Sequence, residues 1–402
     1  METSAGIDWA SETHAVCVVD EHGRRLLQRT IRHDDAGLSE LTRLLRQHAV
    51  QRVAIERPDG VLVERMLDAG LPVLAIHPNQ VQAARDRYRA AGGKSDAFDA
   101  FVLAELARTD HHRFRLVRPD SDQTRALQAM TRARDDLVAV RVELANRLRA
   151  ELERSWPGAA VIFADLDSPI ALAFLQRYPS PSDAARLGPQ RLAGFLSRHH
   201  YCGRKTPAVL LQRLAQAPSV QLLDAESEAR RSIVLSLVAA LQPLVAQIRE
   251  LSSAIAQALA AHPDGHIFRA FFRDPKSSLT AATLLAEIGD SRQRYPTADA
   301  LAADAGQSPV AVESGKRKQA TFRRACDKRL RNAISVLADT SRHHNPWAAD
   351  IYTRARARGA SHQHAIRILG RAWCGVIWRL WHDHDIYDPA RHTALQRLLT
   401  AA

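Results

Sequence analysis

Cysteine is scarce in this chain: Cys17, Cys202, Cys326 and Cys374 are the only four, they lie far apart, and no two form a CxxC pair. That spacing argues against a zinc knuckle and a disulfide framework and leaves buried thiols as the expectation. An apolar run of membrane-spanning length and a basic-then-apolar signal at the N-terminus are also lacking, so a cytosolic protein is expected. Acid is in short supply behind the first quarter of the sequence. Residues 1–110 hold 14 Lys and Arg against 17 Asp and Glu, yet the whole chain carries +12, so everything that follows is strongly basic. A basic body without a membrane element points to a polyanionic partner, with nucleic acid the first candidate. At 402 residues and 46% hydrophobic content, the chain has room for two or three domains with sizeable cores.

What is present begins with a run of short elements. Residues 5–20 read as a strand, a polar turn and a second strand, and Gly23 turns the chain into a third over 26–31. Leu38, Leu41, Leu44 and Leu45 give helical spacing over 36–49. Residues 51–55 form a buried strand that ends at Glu56, just before Arg57-Pro58-Asp59-Gly60 breaks it. A helix over 61–67, a strand over 72–76 closed by His77-Pro78, and a further helical segment lead to Gly92-Gly93-Lys94-Ser95-Asp96. The predicted order is βββαβαβα. At Ser95 another helix opens: the serine can cap it, Asp96 suits its positive first turn, and the apolar run through Ala107 has helical spacing.

This order brings separated acids together. Asp8 lies on the first strand, Glu56 ends the fourth, and Asp96 and Asp99, three residues apart, project from one face of a later helix. Carboxylates that close repel, and in an apolar frame four of them are costly unless cations hold them. Two divalent metals are the natural occupants, and such a pair can activate a nucleophile and neutralise a leaving oxygen in phosphodiester chemistry. The competing reading is a set of unrelated surface acids.

The segments Gly6-Ile7-Asp8-Trp9-Ala10, Ala54-Ile55-Glu56-Arg57-Pro58, His77-Pro78-Asn79-Gln80-Val81 and Lys94-Ser95-Asp96-Ala97-Phe98-Asp99-Ala100 resemble the four-acid DEDD motif of the insertion-sequence one-ten transposases. The N-terminal domain of that family is RuvC-like, an RNase H-type fold. The match covers residues 4–110 and departs at Ser95, where the family usually shows threonine, and at His77, where it often has asparagine. Neither is a presumed ligand. The resemblance implies a metal site of Asp8, Glu56, Asp96 and Asp99 served by Mg2+ or Mn2+.

Residues 122–155 read as one long helix, with Met130, Ala133, Leu137, Val140, Leu144 and Leu148 at alternating threes and fours. Val234, Leu237, Leu241, Leu244, Ile248, Leu251, Ile255 and Leu259 repeat the pattern. Two such helices around a Pro- and Leu-rich insert are compatible with an antiparallel coiled coil carrying a helical subdomain, and with core helices of a bundle. Within the insert, Arg198 to Lys205 is a basic, aromatic-containing loop, read as solvated. Residues 277–289 resemble the second half of a DNA-backbone-binding helix-hairpin-helix, but Lys276-Ser277-Ser278 stands where that family has turn glycines, so a structural helix is expected. His382-Asp383-His384-Asp385 offers metal-ligand types, yet neighbours on a helix do not share a face, and it is read as a polar helix end.

The second informative stretch is Glu313-Ser314-Gly315-Lys316-Arg317-Lys318, followed by Arg323, Arg324, Lys328, Arg329 and Arg331. Residues 316–342 contain nine Lys and Arg against Asp327 and Asp339 alone. A serine hydroxyl needs a base or metal to take its proton and cations to stabilise phosphorane charge, and these residues could supply the latter. On composition alone, a Ser-Gly turn beside a phosphate-binding face is the more economical reading. The resemblance reverses this: Ala305-Gly306-Gln307-Ser308-Pro309, then Glu313-Ser314-Gly315-Lys316, Trp347, Tyr352, Arg358-Gly359 and Ile386-Tyr387-Asp388-Pro389, is similar to the family's C-terminal domain over 275–390. It implies that Ser314 is the nucleophile joined covalently to DNA, whereas Ser308 is read as a turn residue.

The expectation is therefore an RNase H-like (RuvC-like) α/β domain over 1–115, coiled-coil helices with an inserted helical subdomain over 116–265, and a mostly helical C-terminal transposase domain with the Ser-Gly motif over 266–402. The resemblance implies a recombinase acting on element ends and target DNA, a guide non-coding RNA, and a homo-oligomer, dimer or tetramer, with the acids and the serine in one composite site. Its rivals are a metal-dependent structure-selective nuclease using water and a non-catalytic nucleic-acid-binding protein. An actin-like kinase, whose phosphate loop also begins Gly-Ile-Asp, requires a second Gly-rich phosphate loop that the sequence lacks.

Overall fold

The computed structural model describes residues 2–56, 58, 60–88, 95–274, 277–314 and 317–401. The chain divides into two units, one comprising Met1–Ser121 with Gly289–Pro296, the other Asp122–Ile288 with Thr297–Ala402.

The first unit is a sheet with helices on both faces. Its elements are β1 (Thr3–Trp9), β2 (Thr13–Val19), β3 (Arg25–Arg32), α1 (Asp35–Gln47), β4 (Val50–Ile55), α2 (Val61–Asp68), β5 (Val73–Ala75), α3 (Pro78–Tyr88), α4 (Asp96–Thr109) and β6 (Arg115–Leu116). The spatial order is β3-β2-β1-β4-β5-β6. β1 runs antiparallel to β2 and parallel to β4. Alternation along β1 divides its side chains. Ala5 and Ile7 join the core made with the leucines of α1 and with Leu62, Val63 and Met66 of α2. Gly6 and Asp8 point to the opposite face, against which α4 packs. A Cβ at Gly6 would lie 2.2 Å from both the Ala100 carbonyl oxygen and the Ala104 nitrogen, so the absence of a side chain there lets α4 touch the β1 backbone.

A short return segment completes this unit. The Asp120 carboxylate accepts from the Asp290 backbone N–H at 3.1 Å and pairs with Arg294 at 3.3 Å, while the Asp290 carboxylate accepts from Ser121 N–H at 3.1 Å. Gly289 has φ +83°, and a Cβ there would meet the Asp120 carboxylate at 2.3 Å.

Among the described residues, the second unit is mostly helical and carries one hairpin. Its long helix α5 (Asp122–Ser155) leads into four short helices, α6 (Pro157–Val161), α7 (Pro169–Arg177), α8 (Pro189–Arg198) and α9 (Pro207–Gln216), each opened by a proline in the first turn, where the missing N–H costs nothing. The second long helix, α10 (Asp224–Ala261), packs along α5, and Leu148, Leu152, Trp156, Phe174, Phe195 and Val238 join the short helices to this pair. The sequence reading allowed no apolar run long enough to span a membrane, and α10 corrects it. By length and composition this helix could cross one, because residues 232–248 carry no charge. Its Val234, Val238, Leu241 and Ile248 are buried within the unit.

There follow α11 (Gly265–Arg269), α12 (Ser278–Ile288), α13 (Ala298–Asp304), the hairpin β7 (Val310–Ser314) and β8 (Arg317–Thr321), then α14 (Lys328–Ser341), α15 (Pro346–Ala357), α16 (His362–Asp383) and α17 (Thr393–Ala401). α16 is the spine of this part. Leu369, Trp373, Ile377 and Trp381 are buried along it, and the Trp373 indole N–H donates to Ser341 Oγ at 2.9 Å.

Candidate active site

Asp8 and Glu56 come together through strand register. Ile7 pairs with Ile55 across the parallel β1–β4 ladder, so the next residues, Asp8 and Glu56, stand side by side at the carboxyl ends of neighbouring strands. Both are half-buried. Asp8 is also paired with Ala15 of β2, and Ala15 packs against Ala100 and Ala104 of α4, which puts the Asp8 side chain on the α4 face.

α4 runs antiparallel to β1: the Arg108 guanidinium near its far end reaches the Glu21 carbonyl at the other end of the sheet. Its first turn therefore lies at the Asp8 end. Ser95 caps it, its Oγ accepting from the Phe98 N–H at 3.3 Å. Asp99 is 1% exposed, and its carboxylate is gripped bidentately by Arg85 of α3, with Nε to Oδ1 and Nη2 to Oδ2 each 2.6 Å. Asp96, expected to share its face, is exposed instead: as the first helical residue it points to solvent while Asp99 faces inward. Among the described residues, no three His, Cys, Asp or Glu side chains gather as metal ligands would.

The donor set nevertheless suits a hard divalent cation. It consists of carboxylates alone, although Asp99 could join a cation only by exchanging the Arg85 guanidinium that occupies both its oxygens. Neither Arg85 nor Gly6 was singled out from sequence. Arg85 sits in the charged run Arg85-Asp86-Arg87, where periodicity marks no position as special. Gly6 carried a usable signal, a glycine within a buried strand, which marks a close backbone approach.

Beneath Asp8 on the opposite face, His14 is fully buried, its Nε2 2.8 Å from His33 Nδ1, and burial together with the His33 charge pushes its pKa from 6.5 to about 4. Between those values the unfolded chain binds a proton that the folded one refuses. Stability is thus intact above pH 6.5 and falls as pH drops towards 4, by up to about 3 kcal/mol from this residue. Urea unfolding from pH 7.5 to 4.5 should show the decline, and His14→Gln should flatten most of it.

In the second unit, Ser314 ends β7 and pairs in register with Arg317, the first residue of β8. Gly315 and Lys316 lie outside the described residues, as do the side chains of Glu313, Ser314, Arg317 and Lys318. The remaining basic residues do not act alike. Arg324 and Lys328 are exposed, Arg329 pairs with Asp136 at 2.8 Å, and Arg323 Nε donates to the Ser308 carbonyl at 3.2 Å. Arg331 turns inward over the Phe322 ring.

A family model described as "Transposase", of the DEDD IS110 type, matches residues 5–157, and a second, described as "Transposase IS116/IS110/IS902 family", matches residues 277–353. The chain is 32% identical over 99% of its length to the "Mini-circle putative transposase for IS117" of Streptomyces coelicolor, covering 97% of that relative. It is 38% identical over 48% of its length to "Putative transposase y4uE" of Sinorhizobium fredii, covering 56% of that protein. It is also 28% identical over 97% of its length to the "Insertion element IS900 uncharacterized 42 kDa protein" of Mycobacterium paratuberculosis, covering 98% of it.

Proposed function

The chain belongs to the IS110 family of insertion-sequence transposases, enzymes that cut and rejoin DNA, and from that premise we propose that it does so through a covalent intermediate on Ser314, supported by its four acids. The observation that carries the acidic half is the register placing Asp8 beside Glu56, with the first turn of α4 at the same end of the sheet. Asp8, Glu56, Asp96 and Asp99 would hold Mg2+ or Mn2+, which supplies Lewis acidity towards phosphate oxygens.

Ser314 Oγ forms a bond to phosphorus as the bond from phosphorus to the DNA oxygen breaks, and the serine proton is passed to the departing oxygen or to solvent. The phosphoester linkage is conserved, so a second DNA hydroxyl can reverse the step and rejoin ends without an external energy source. Lys316, Arg317 and Lys318 are proposed to offset charge on the phosphorane, and Arg323, Arg324, Lys328 and Arg331 to hold the DNA backbone. Arg329 takes part only by exchanging Asp136 for a phosphate. The excess of positive charge behind residue 110 supports a large cationic surface for polyanions, and a guide RNA on that surface is proposed as well, as is assembly as a homo-oligomer.

Incubation with labelled element DNA followed by a denaturing gel should show a protein–DNA adduct that Ser314→Ala eliminates and Ser308→Ala retains. Normal cleavage and rejoining by Ser314→Ala would replace this reading with a water-using nuclease.

A further inference from the structure

Two arginines distant in sequence share one aromatic ring at the foot of the β7–β8 hairpin. Arg331 of α14 and Arg367 of α16 bring their guanidinium carbons to 5.5 and 4.8 Å from the centroid of Phe322, which directly follows β8 and is 44% exposed. Two other half-buried arginines in this unit hold acids, Arg132 to Glu287 at 2.7 Å and Arg230 to Glu151 at 2.9 Å, and Arg323 and Arg269 at least donate to carbonyls, those of Ser308 and Phe272. Among the described residues, Arg331 and Arg367 make no ion pair. The Arg331 guanidinium finds only Cys326 Sγ, at 3.6 Å, and Asp327 beside that cysteine is committed to capping α14 through the N–H groups of Arg329 and Leu330. Burial and the Arg331 charge both push the Arg367 pKa down.

Two guanidiniums drawn partly out of water with no anion between them are unfavourable, and a ring face offsets only part of that cost. A phosphodiester, whose two non-bridging oxygens share one negative charge and match guanidinium N–H pairs, is the partner that offsets it. We infer that Arg331 and Arg367, carried on Phe322, form a binding site for one backbone phosphate of duplex DNA. The inference rests on the reading of this basic face as DNA-binding. Arg317 opens β8 and Phe322 follows its last residue, about 17 Å further along extended chain, so this phosphate would be a different one from any held near Arg317. The two residues would hold the DNA backbone and are positioning residues.

The test uses the full-length protein and a fluorescein-labelled 30-base-pair duplex, titrated over a range of potassium chloride concentrations. Arg331→Gln and Arg367→Gln should each weaken binding several-fold and lower the slope of log affinity against log salt by about one. Because both hold the same phosphate, the double variant should be little worse than either single one. In the free protein both substitutions should leave the melting temperature unchanged or raise it, since they relieve repulsion. Wild-type affinity and slope in Arg367→Gln, alongside weaker binding by Arg324→Gln/Lys328→Gln, would overturn the clamp and leave the DNA-binding face standing. If every variant bound like wild type, the face itself would be misread. A lower melting temperature with unchanged slope would make the pair a structural pillar and overturn the inference.

Discussion

Asp8→Ala and Glu56→Ala should each slow DNA cleavage by at least about a thousandfold while leaving a folded protein. Losing a cation that stabilises several kcal/mol of transition-state charge has a rate effect of that order. The folded state should not suffer. Both carboxylates are half-buried at the ends of adjacent strands and outside the apolar core, so removing either should keep the melting temperature in EDTA close to wild type. Asp96→Ala should be milder, because its side chain is exposed at the first position of α4. The measurements are single-turnover cleavage of labelled DNA in Mg2+ or Mn2+ and a thermal melt. A Glu56→Ala protein that cleaves at the normal rate would remove the acids from the mechanism.

Arg85→Ala should lower the free energy of unfolding by about 3–5 kcal/mol in chelator, since it leaves a buried carboxylate without a counter-charge. Asp99 is 1% exposed and has both oxygens on this one guanidinium at 2.6 Å. The defect should shrink as Mg2+ is added, because a divalent cation on Asp99 replaces the lost positive charge. It should also shrink in Arg85→Ala/Asp99→Asn, where no charge remains to be compensated. Urea titrations with EDTA or Mg2+ check both statements. If Mg2+ gave no recovery while Asp99→Asn did, Asp99 would be a structural partner of Arg85 and not a metal ligand.

The strand and helix order of the first unit was legible because Gly23, the Arg57-to-Gly60 break and His77-Pro78 punctuate runs of different period. The chain follows βββαβαβα and adds only β6 and boundary shifts of a residue or two. Asp8 beside Glu56 was legible for the same reason: both end apolar strands. The fates of Asp96 and Asp99 were not. Spacing of three puts them near each other on a helix, but which one faces inward depends on how α4 is rotated, and that is fixed by Ala100 and Ala104 seating on Gly6. The Arg331–Phe322–Arg367 cluster was equally hidden, since it joins two helices and a strand end that no local pattern relates.

The return segment at Gly289–Pro296 changes what counts as a part of this protein. The chain leaves the first unit after Ser121, builds the larger part of the second unit, and comes back for eight residues before leaving again to complete it. Asp120 needs those residues: burial already raises its pKa, and Arg294 and the Asp290 N–H are what hold its charge. A fragment cut at residue 121 would therefore end on a carboxylate stripped of its donors, and Gly289 could not be exchanged for a larger residue without displacing that same side chain. Any attempt to swap the acidic unit between relatives must carry two separate stretches of sequence, because the unit is encoded at two distant places in the gene.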